Sequence, residues 1–523
     1  MYRLLHPKFR MKQILLTISL LAWTPWLHAE QDALNFSEHV APIIFQNCTS
    51  CHRPGEAGPF SLQNYNDVRK RGKLIARVTE DRLMPPWHAQ KGAFPFHGDR
   101  RLTEAQIEII SRWVESGMAE GDPAKLPALP RFTEGWQLGK PDRVVEMTEP
   151  YPVPAEGRDI YRSFVVPLNL PEGKWLKAVE FRPGARSVVH HCLFFYDTTG
   201  EARRLDRMDP RPGFRRMRQQ GRGIGPLGGW AVGGQPEKLP DDLAYYLPKN
   251  ADLVLSMHYH PSGKPEQDRS SVGLYFTDQA PSTSFTGVQL PPAFGALNRI
   301  SIPAGEPAYT VTDEFTLPID VEAFAVSAHA HYLGKQLRMT ATLPGGKTLD
   351  LLNIPDWDFS WQEQYQFEEF VRLPRGTKLA STVIWDNSKE NPNNPNIPPR
   401  RVHWGPESED EMGSLTLLVR PAKGQNIGTL NSLYRQHVGQ VARNPRPATL
   451  ANPANAPAGN PRGNLLLQGL MRRSDKNGNG RIDRGEEPNW LKPRFEHIDL
   501  NQDNALDEAE MLKALERLRN RNR

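Results

Sequence analysis

The chain gathers histidine and methionine into four short stretches: His190-His191, Met257-His258-Tyr259-His260, His329-Ala330-His331, and Met412 within Asp410-Glu411-Met412. Imidazole nitrogen combined with thioether sulfur is a donor set that favours copper, above all Cu(I), over zinc or iron. His329 and His331 stand two apart, so a strand would put both on one face, able to share one metal. His190 and His191 are adjacent, and a regular strand would send them to opposite faces. For both to reach one metal, the strand must end or carry a bulge there. A single pair of this kind is usually a core or surface histidine. Four such stretches in one region favour a metal centre.

A second constellation is Cys48-Thr49-Ser50-Cys51-His52, the CxxCH signature of covalent c-type haem attachment. The two thiols add across the haem vinyl groups, and His52 is delivered to the iron. A zinc knuckle would need a second cysteine pair, and Cys192 is the one other cysteine. An electron-transferring haem takes a soft sixth ligand, because Met/His ligation raises its potential. Met84, in Leu83-Met84-Pro85-Pro86-Trp87, is the first candidate. The two prolines hold an extended loop and remove backbone donors. Met118, His88 and His97 are the competitors. The segment resembles a class I cytochrome c domain. Cys192 is expected as a small buried apolar side chain.

A third pattern lies near the C-terminus. Asp475, Asn477, Asn479, Arg481, Asp483 and Glu486, with Gly480 at position 6, fit the twelve-residue EF-hand loop. A second loop places Asp499, Asn501, Asp503, Ala505, Asp507 and Glu510 at the same positions, with Asn504 at position 6. Asparagine tolerates left-handed geometry less well than glycine. One or two calcium ions are expected, in a structural or docking role.

These groups must be positioned by several domains, since 523 residues exceed one core. The 48 prolines and 41 glycines are about 17 % of the chain, against an average near 12 %, which favours turns and short strands. The first 29 residues have a basic start (Lys8, Arg10, Lys12), an apolar run from Ile14 to Trp23 and a small-residue cleavage site ending at Ala29. They predict a signal peptide, and the run is too short to span a bilayer. Residues 33–121 predict a small all-α domain. Its first helix is Phe36 to Asn47, and its last is capped by Thr103–Gln106 and ended by Gly117. Residues 122–130 are a Pro-rich linker. From 131 to 421, runs such as Val188–Tyr196, Leu253–Tyr259, Ala323–His331 and Ser414–Val419 predict antiparallel strands in two β-sandwiches, 131–285 and 286–421. Residues 443–463 are a low-complexity linker and 464–523 an α-helical EF-hand pair. Three cysteines, two of them in the haem motif, leave no disulfide framework. A net charge of +5 is no nucleic-acid footprint.

In order and context, five stretches resemble the copper type II, ascorbate-dependent monooxygenases, the family of the peptide-amidating and dopamine-hydroxylating enzymes. They are Val189–Leu193, Gly228–Gly234, Leu255–His260, His329–Lys335 and Asp410–Met412. The resemblance spans roughly residues 140–421. It implies two jelly-roll-like β-sandwiches with one copper on each, facing across a solvent cleft. His190, His191 and His258 would bind an electron-relay copper. His329, His331 and Met412 would bind the copper that activates O2. His260 is outside the family's ligand set and would be a supporting residue. The chemistry implied is hydroxylation of a C–H bond: one oxygen atom goes to carbon, one leaves as water, and each copper stores one of the two electrons consumed. The peptide-amidating enzyme anchors its substrate with an Arg and a Tyr at the positions of Ser327 and Thr416, so peptide amidation is not expected here.

The sequence therefore predicts an exported, periplasmic or secreted, copper-dependent monooxygenase acting on an unidentified small molecule with O2. Its electrons would pass through the fused haem from a periplasmic donor, in place of ascorbate. No nucleic-acid partner is expected, and no membrane association after signal cleavage. The rival expectation is a non-catalytic electron-transfer or copper-binding protein.

Overall fold

A computed structural model of the chain describes residues 34–451 except 57, 133–134, 216–222 and 241–242, and beyond them residues 471, 474, 481–488, 491–507, 510–511 and 513. The expected signal segment and the loop residues Asp475, Asn477 and Asn479 lie outside the described residues. The architecture is predominantly antiparallel β with a minority of helix. No described helix is long and apolar enough to cross a membrane.

The N-terminal unit is helical. Its first helix opens with a π turn, Phe36–Val40, before the α-helix Ala41–Asn47, a local departure from the single helix expected. Helices Tyr65–Glu80 and Glu104–Glu115 follow. Thr103 and Gln106 make the reciprocal capping box, which satisfies two backbone N–H groups otherwise left over at a helix start. The helices close on Phe36, Ile44, Val68, Ile75, Ile110 and Trp113.

Two pairs of four-stranded antiparallel sheets follow. In the first pair, one sheet runs Arg143–Glu146, Ser271–Thr277, Lys174–Arg182, Tyr245–Leu247, and its mate runs Ile160–Pro167, Asp252–Tyr259, Val189–Asp197, Ile224–Ala231. Their facing side chains, among them Leu176, Phe181 and Leu274 against Phe164, Phe194 and Leu255, form one core. In the second pair, one sheet runs Thr286–Leu290, Gly413–Pro421, Val321–Ala330, Gln364–Leu373, and the other Tyr309–Thr316, Lys378–Trp385, Gly334–Thr342, Thr348–Ile354. Burial alternates residue by residue along Lys378–Trp385, as a strand with one face on a core requires. Burying each large aliphatic or aromatic side chain in these cores stabilises the fold by roughly 1.5–3 kcal/mol.

Three segments depart from the expected plan. Residues 86–101, within the stretch expected to be helical, form an arm on the open edge of strand Gln364–Leu373. His97 N–H donates to the Gln366 carbonyl (2.8 Å), and Glu368 N–H to the Pro95 carbonyl (3.1 Å). Phe96 stacks on Phe367, Trp87 meets Tyr365 edge-on, and Arg100 pairs with the largely buried Glu363. Helix Ile427–Arg443 packs on the second pair through Leu430, and the Tyr434 hydroxyl donates to the Gln289 carbonyl (2.7 Å). Thr449, placed by the sequence in a linker, pairs with Thr310. Near the C-terminus, Ile482–Asp483 pairs antiparallel with Ala505–Leu506 over a small core containing Leu491 and Phe495.

Candidate metal centre

His190, His191 and His258 come from the two central strands of one sheet in the first pair. Val189 opposes Tyr259 and His191 opposes His258, so His190 is the extra residue of a β-bulge. The bulge lets two adjacent histidines turn to the same side, as their spacing required. His191 Nδ1 lies 3.1 Å from His190 Nδ1 and 3.4 Å from His258 Nδ1. Among the described residues, these three are the one set of three or more His, Cys, Asp or Glu side chains whose donor atoms all lie within 4.8 Å of one another.

The remaining nitrogen of His258, Nε2, bonds Asp159 Oδ2 at 2.8 Å, and His260 Nδ1 bonds the other oxygen, Oδ1, at 2.7 Å. Burial raises the Asp159 carboxyl, but hydrogen bonds from His258, Ser408 and His260 hold it below the ordinary carboxylate range. The Tyr161 ring stacks on His258 at 4.3 Å. Burial, then His258, pushes His190 down to about 3, and the same two causes push His191 down. Both imidazoles are thus neutral near pH 7, with lone pairs to offer.

His329 is the last residue but one of strand Val321–Ala330, His331 follows the strand, and Met412 immediately precedes the neighbouring strand Gly413–Pro421. Ala330 opposes Gly413, so the three side chains converge at one end of that sheet. His329 Nδ1 bonds Gln362 Oε1 (2.6 Å), and His331 Nδ1 bonds the Asp410 carbonyl (3.0 Å). Both rings thereby keep Nε2 for a ligand. Burial pushes His329 down to about 4. Burial and then His329 push His331 to about 3. The carboxylate of Glu411 pins this corner. Oε1 accepts from Leu333 N–H (2.6 Å), and Oε2 from Trp385 Nε1–H (2.8 Å), His331 N–H (3.1 Å) and Met412 N–H (3.2 Å). Burial pushes its pKa up, against the four N–H donors, each of which favours the charged form. Gly413 is required here, because a Cβ would stand 2.2 Å from Trp385.

The two groups share one cavity of about 480 Å3, lined by His191, His329, His331 and Met412. Phe359, 6 % exposed, touches both groups: His190 stacks on it at 5.0 Å, and His331 meets it edge-on at 5.5 Å. The groups thus sit on different sheet pairs, and Phe359 bridges them. Ser327 and Thr416 face each other across the sheet and line the cavity, as do Trp87, His97 and Arg100 of the N-terminal arm.

In the helical unit, Cys48 follows helix Ala41–Asn47, and the Cys51 and His52 N–H groups fold back onto the Cys48 carbonyl (3.2 and 2.9 Å). His52 Nδ1 bonds the Phe60 carbonyl (3.1 Å), leaving Nε2 available. Burial, then Cys51, pushes the Cys48 thiol up to about 12. Glu56 in this loop bonds Arg186, four residues before His190, at 3.1 Å. Met84 is half-buried, after helix Tyr65–Glu80. Met118 packs in the helical core, close to Gly72, Val114 and Trp113. His88 bonds the Asp356 backbone, and His97 lines the shared cavity. Cys192 is fully buried, and all three cysteines are free thiols.

In the C-terminal part, Glu510 folds over its own loop. Oε1 accepts from Leu500 N–H (2.7 Å) and Oε2 from Asp507 N–H (3.1 Å). Asn504 is in the left-handed region, with φ +62°. Asp159, Ser408, Gln362 and Phe359 have no sequence signal, because each acts across a long separation. Glu411 was marked only as the neighbour of Met412.

No protein-family model matches the chain, and no curated protein does. Solved structures with some similarity include the VP2 subviral particle of infectious bursal disease virus (9 % identity, 59 % of this chain and 77 % of that one, TM-score 0.18). PNGF-II (7 %, 53 % and 65 %, 0.24) and the major capsid protein P2 of bacteriophage PM2 (8 %, 48 % and 99 %, 0.19) are others. At these TM-scores the similarity says nothing about function.

Proposed function

We propose that the chain is a copper-dependent monooxygenase that hydroxylates a C–H bond of a small molecule held in the shared cavity. The observation that carries this reading is the pairing of two donor sets on one cavity. One set has three imidazoles, with His191 Nδ1 facing the Nδ1 atoms of the other two. The other has two imidazoles, whose Nδ1 atoms are occupied, beside Met412. His191 Nδ1 faces the Nδ1 atoms of both His190 and His258, and three imidazole nitrogens turned towards one point suit a shared cation. These are residues that fit copper. When bound, copper would supply O2 activation and one-electron storage.

The chain's own residues do the rest. Asp159 and His260 fix the orientation of His258. Gln362 and the Asp410 carbonyl hold His329 and His331 with Nε2 turned to the cavity, and the Glu411 carboxylate fixes the main chain of Met412. Phe181, Phe194, Leu227, Trp230 and Leu418 give the cavity apolar walls, while Gln364, Gln366, Lys177, Glu237 and the Arg100–Glu363 pair put polar and charged groups on its lining. That lining favours a substrate with an apolar carbon frame and a polar group that the charged and amide side chains can orient.

The helical unit is proposed as a c-type cytochrome domain. Cys48 and Cys51 would bind haem covalently, His52 would ligate the iron through the Nε2 left by its bond to Phe60, and Met84 would supply the thioether ligand. The Glu56–Arg186 bond brings the CxxCH loop against the strand bearing His190, which supports electron entry at the first donor set. A tethered donor acts at an effective concentration on the order of millimolar. The C-terminal part is proposed as a calcium-binding EF-hand pair, and the protein as exported, where haem attachment is completed.

The test is a screen of small molecules with an apolar carbon frame and a polar group, scored by substrate-dependent O2 uptake and hydroxylated product. Uptake coupled to product is expected. Metal-loaded protein that exchanges electrons but never couples O2 to a substrate would favour a non-catalytic electron carrier.

A further inference from the structure

Ser408 belongs to the second sheet pair, on the loop that leads to Met412, and is 4 % exposed. Its Oγ nevertheless bonds Asp159 Oδ2 in the first pair, the same oxygen that accepts from His258 Nε2. The Tyr161 hydroxyl lies 2.5 Å from the same Oγ, and the Tyr161 ring stacks on His258. Ser408 has a single proton, so it donates to the carboxylate and accepts from the phenol. The order is Tyr161 O–H to Ser408, Ser408 O–H to Asp159, and His258 Nε2–H to Asp159. Two residues on, the Asp410 carbonyl holds His331 Nδ1. One loop therefore sets the orientation of a histidine in each donor set.

We propose that Ser408 is a positioning residue for the first metal site. It holds the Asp159 carboxylate that fixes His258 in its Nδ1-ligating form, so that the first site is complete only when the Met412 loop is docked. The inference rests on the two-copper reading above. Carboxylates that bond a ligating histidine typically change metal affinity 10–100-fold when removed, and Ser408, one bond further out, is expected to matter about tenfold.

The experiment uses the full chain loaded with Cu(II), with affinity read by chelator competition and site geometry by electron paramagnetic resonance. Ser408→Ala is expected to weaken copper at the first site about tenfold and change its hyperfine splitting, with the second site still filled. Ser408→Thr, which keeps the hydroxyl, is expected to restore both. Asp159→Asn should exceed Ser408→Ala. If circular dichroism shows Ser408→Ala unfolded, Tyr161→Phe carries the test, because it removes the donor to Ser408 and keeps the ring; a smaller change in the same direction is expected. A parental affinity and spectrum in Ser408→Ala, or in Tyr161→Phe where that variant stands in, overturns the proposal. Failure of the two-copper reading is distinguishable: the parent chain itself would then hold no copper at His190, His191 and His258.

Discussion

The imidazole of His190 lies stacked on the ring of Phe359, with centroids 5.0 Å apart and planes 25° from parallel. The two residues belong to different sheet pairs, so the contact ties the two donor sets together. Phe359 also touches His258, His331 and Tyr332.

Phe359→Ala is expected to destabilise the junction by about 3 kcal/mol, the scale of a buried Phe-to-Ala truncation, and Phe359→Leu by about half as much. Denaturant unfolding followed by tryptophan fluorescence checks this. A loss below about 1 kcal/mol in the Ala variant would mean the ring is not part of a packed junction.

Glu411→Gln keeps the shape of the side chain but turns one acceptor into an NH2 donor. The parent carboxylate accepts from four N–H groups, one on Oε1 and three on Oε2. In the variant, the amide must face a donor whichever way it turns, costing about 1–3 kcal/mol. Metal at His329, His331 and Met412 should weaken with it, while metal at His190, His191 and His258 should not. Metal content per site after dialysis is the readout, and equal loss at both sites would refute this placement of Glu411.

For the helical unit, one covalent haem per chain is expected, and Met84→Ala should remove the long-wavelength band of thioether-ligated ferric haem. A band that survives moves the sixth ligand away from Met84. Glu56→Gln should leave the haem spectrum unchanged but slow haem oxidation after mixing reduced protein with O2, because it weakens the bond to Arg186.

Calcium at one hundred times its Kd should stabilise the C-terminal part by about 2.7 kcal/mol. Glu486→Gln and Glu510→Gln should abolish that increment in thermal melts and leave turnover near the parent's. A large loss of turnover would show that this part acts on the cavity.

Much of the fold was legible because its signals are local. Short β-branched and aromatic runs between turn signals marked the strands bearing His190, His258 and His329. The adjacency of His190 and His191 demanded the bulge that the register shift after Val189 supplies, and Thr103 with Gln106 marked a helix start. What escaped acts across the chain. Ser408 and Asp159 are 249 positions apart, and Arg100 and Glu363 are 263 apart, so neither pair leaves a periodicity. The arm at 86–101 joins a sheet edge by a few backbone bonds and aromatic contacts, too short a pairing for alternation to betray it. Helix Ile427–Arg443 buries only Leu430 and Val441, which leaves a weak apolar stripe.

The central claim is that two copper sites of different chemistry share one cavity. Loading the full chain anaerobically with Cu(I), counting metal, and recording copper X-ray absorption tests it most directly. The account predicts two coppers per chain and a sulfur scatterer that disappears in Met412→Ala, with one copper still held by nitrogen alone. One copper per chain, zinc retained at both sites, or a sulfur signal that persists without Met412 would contradict it.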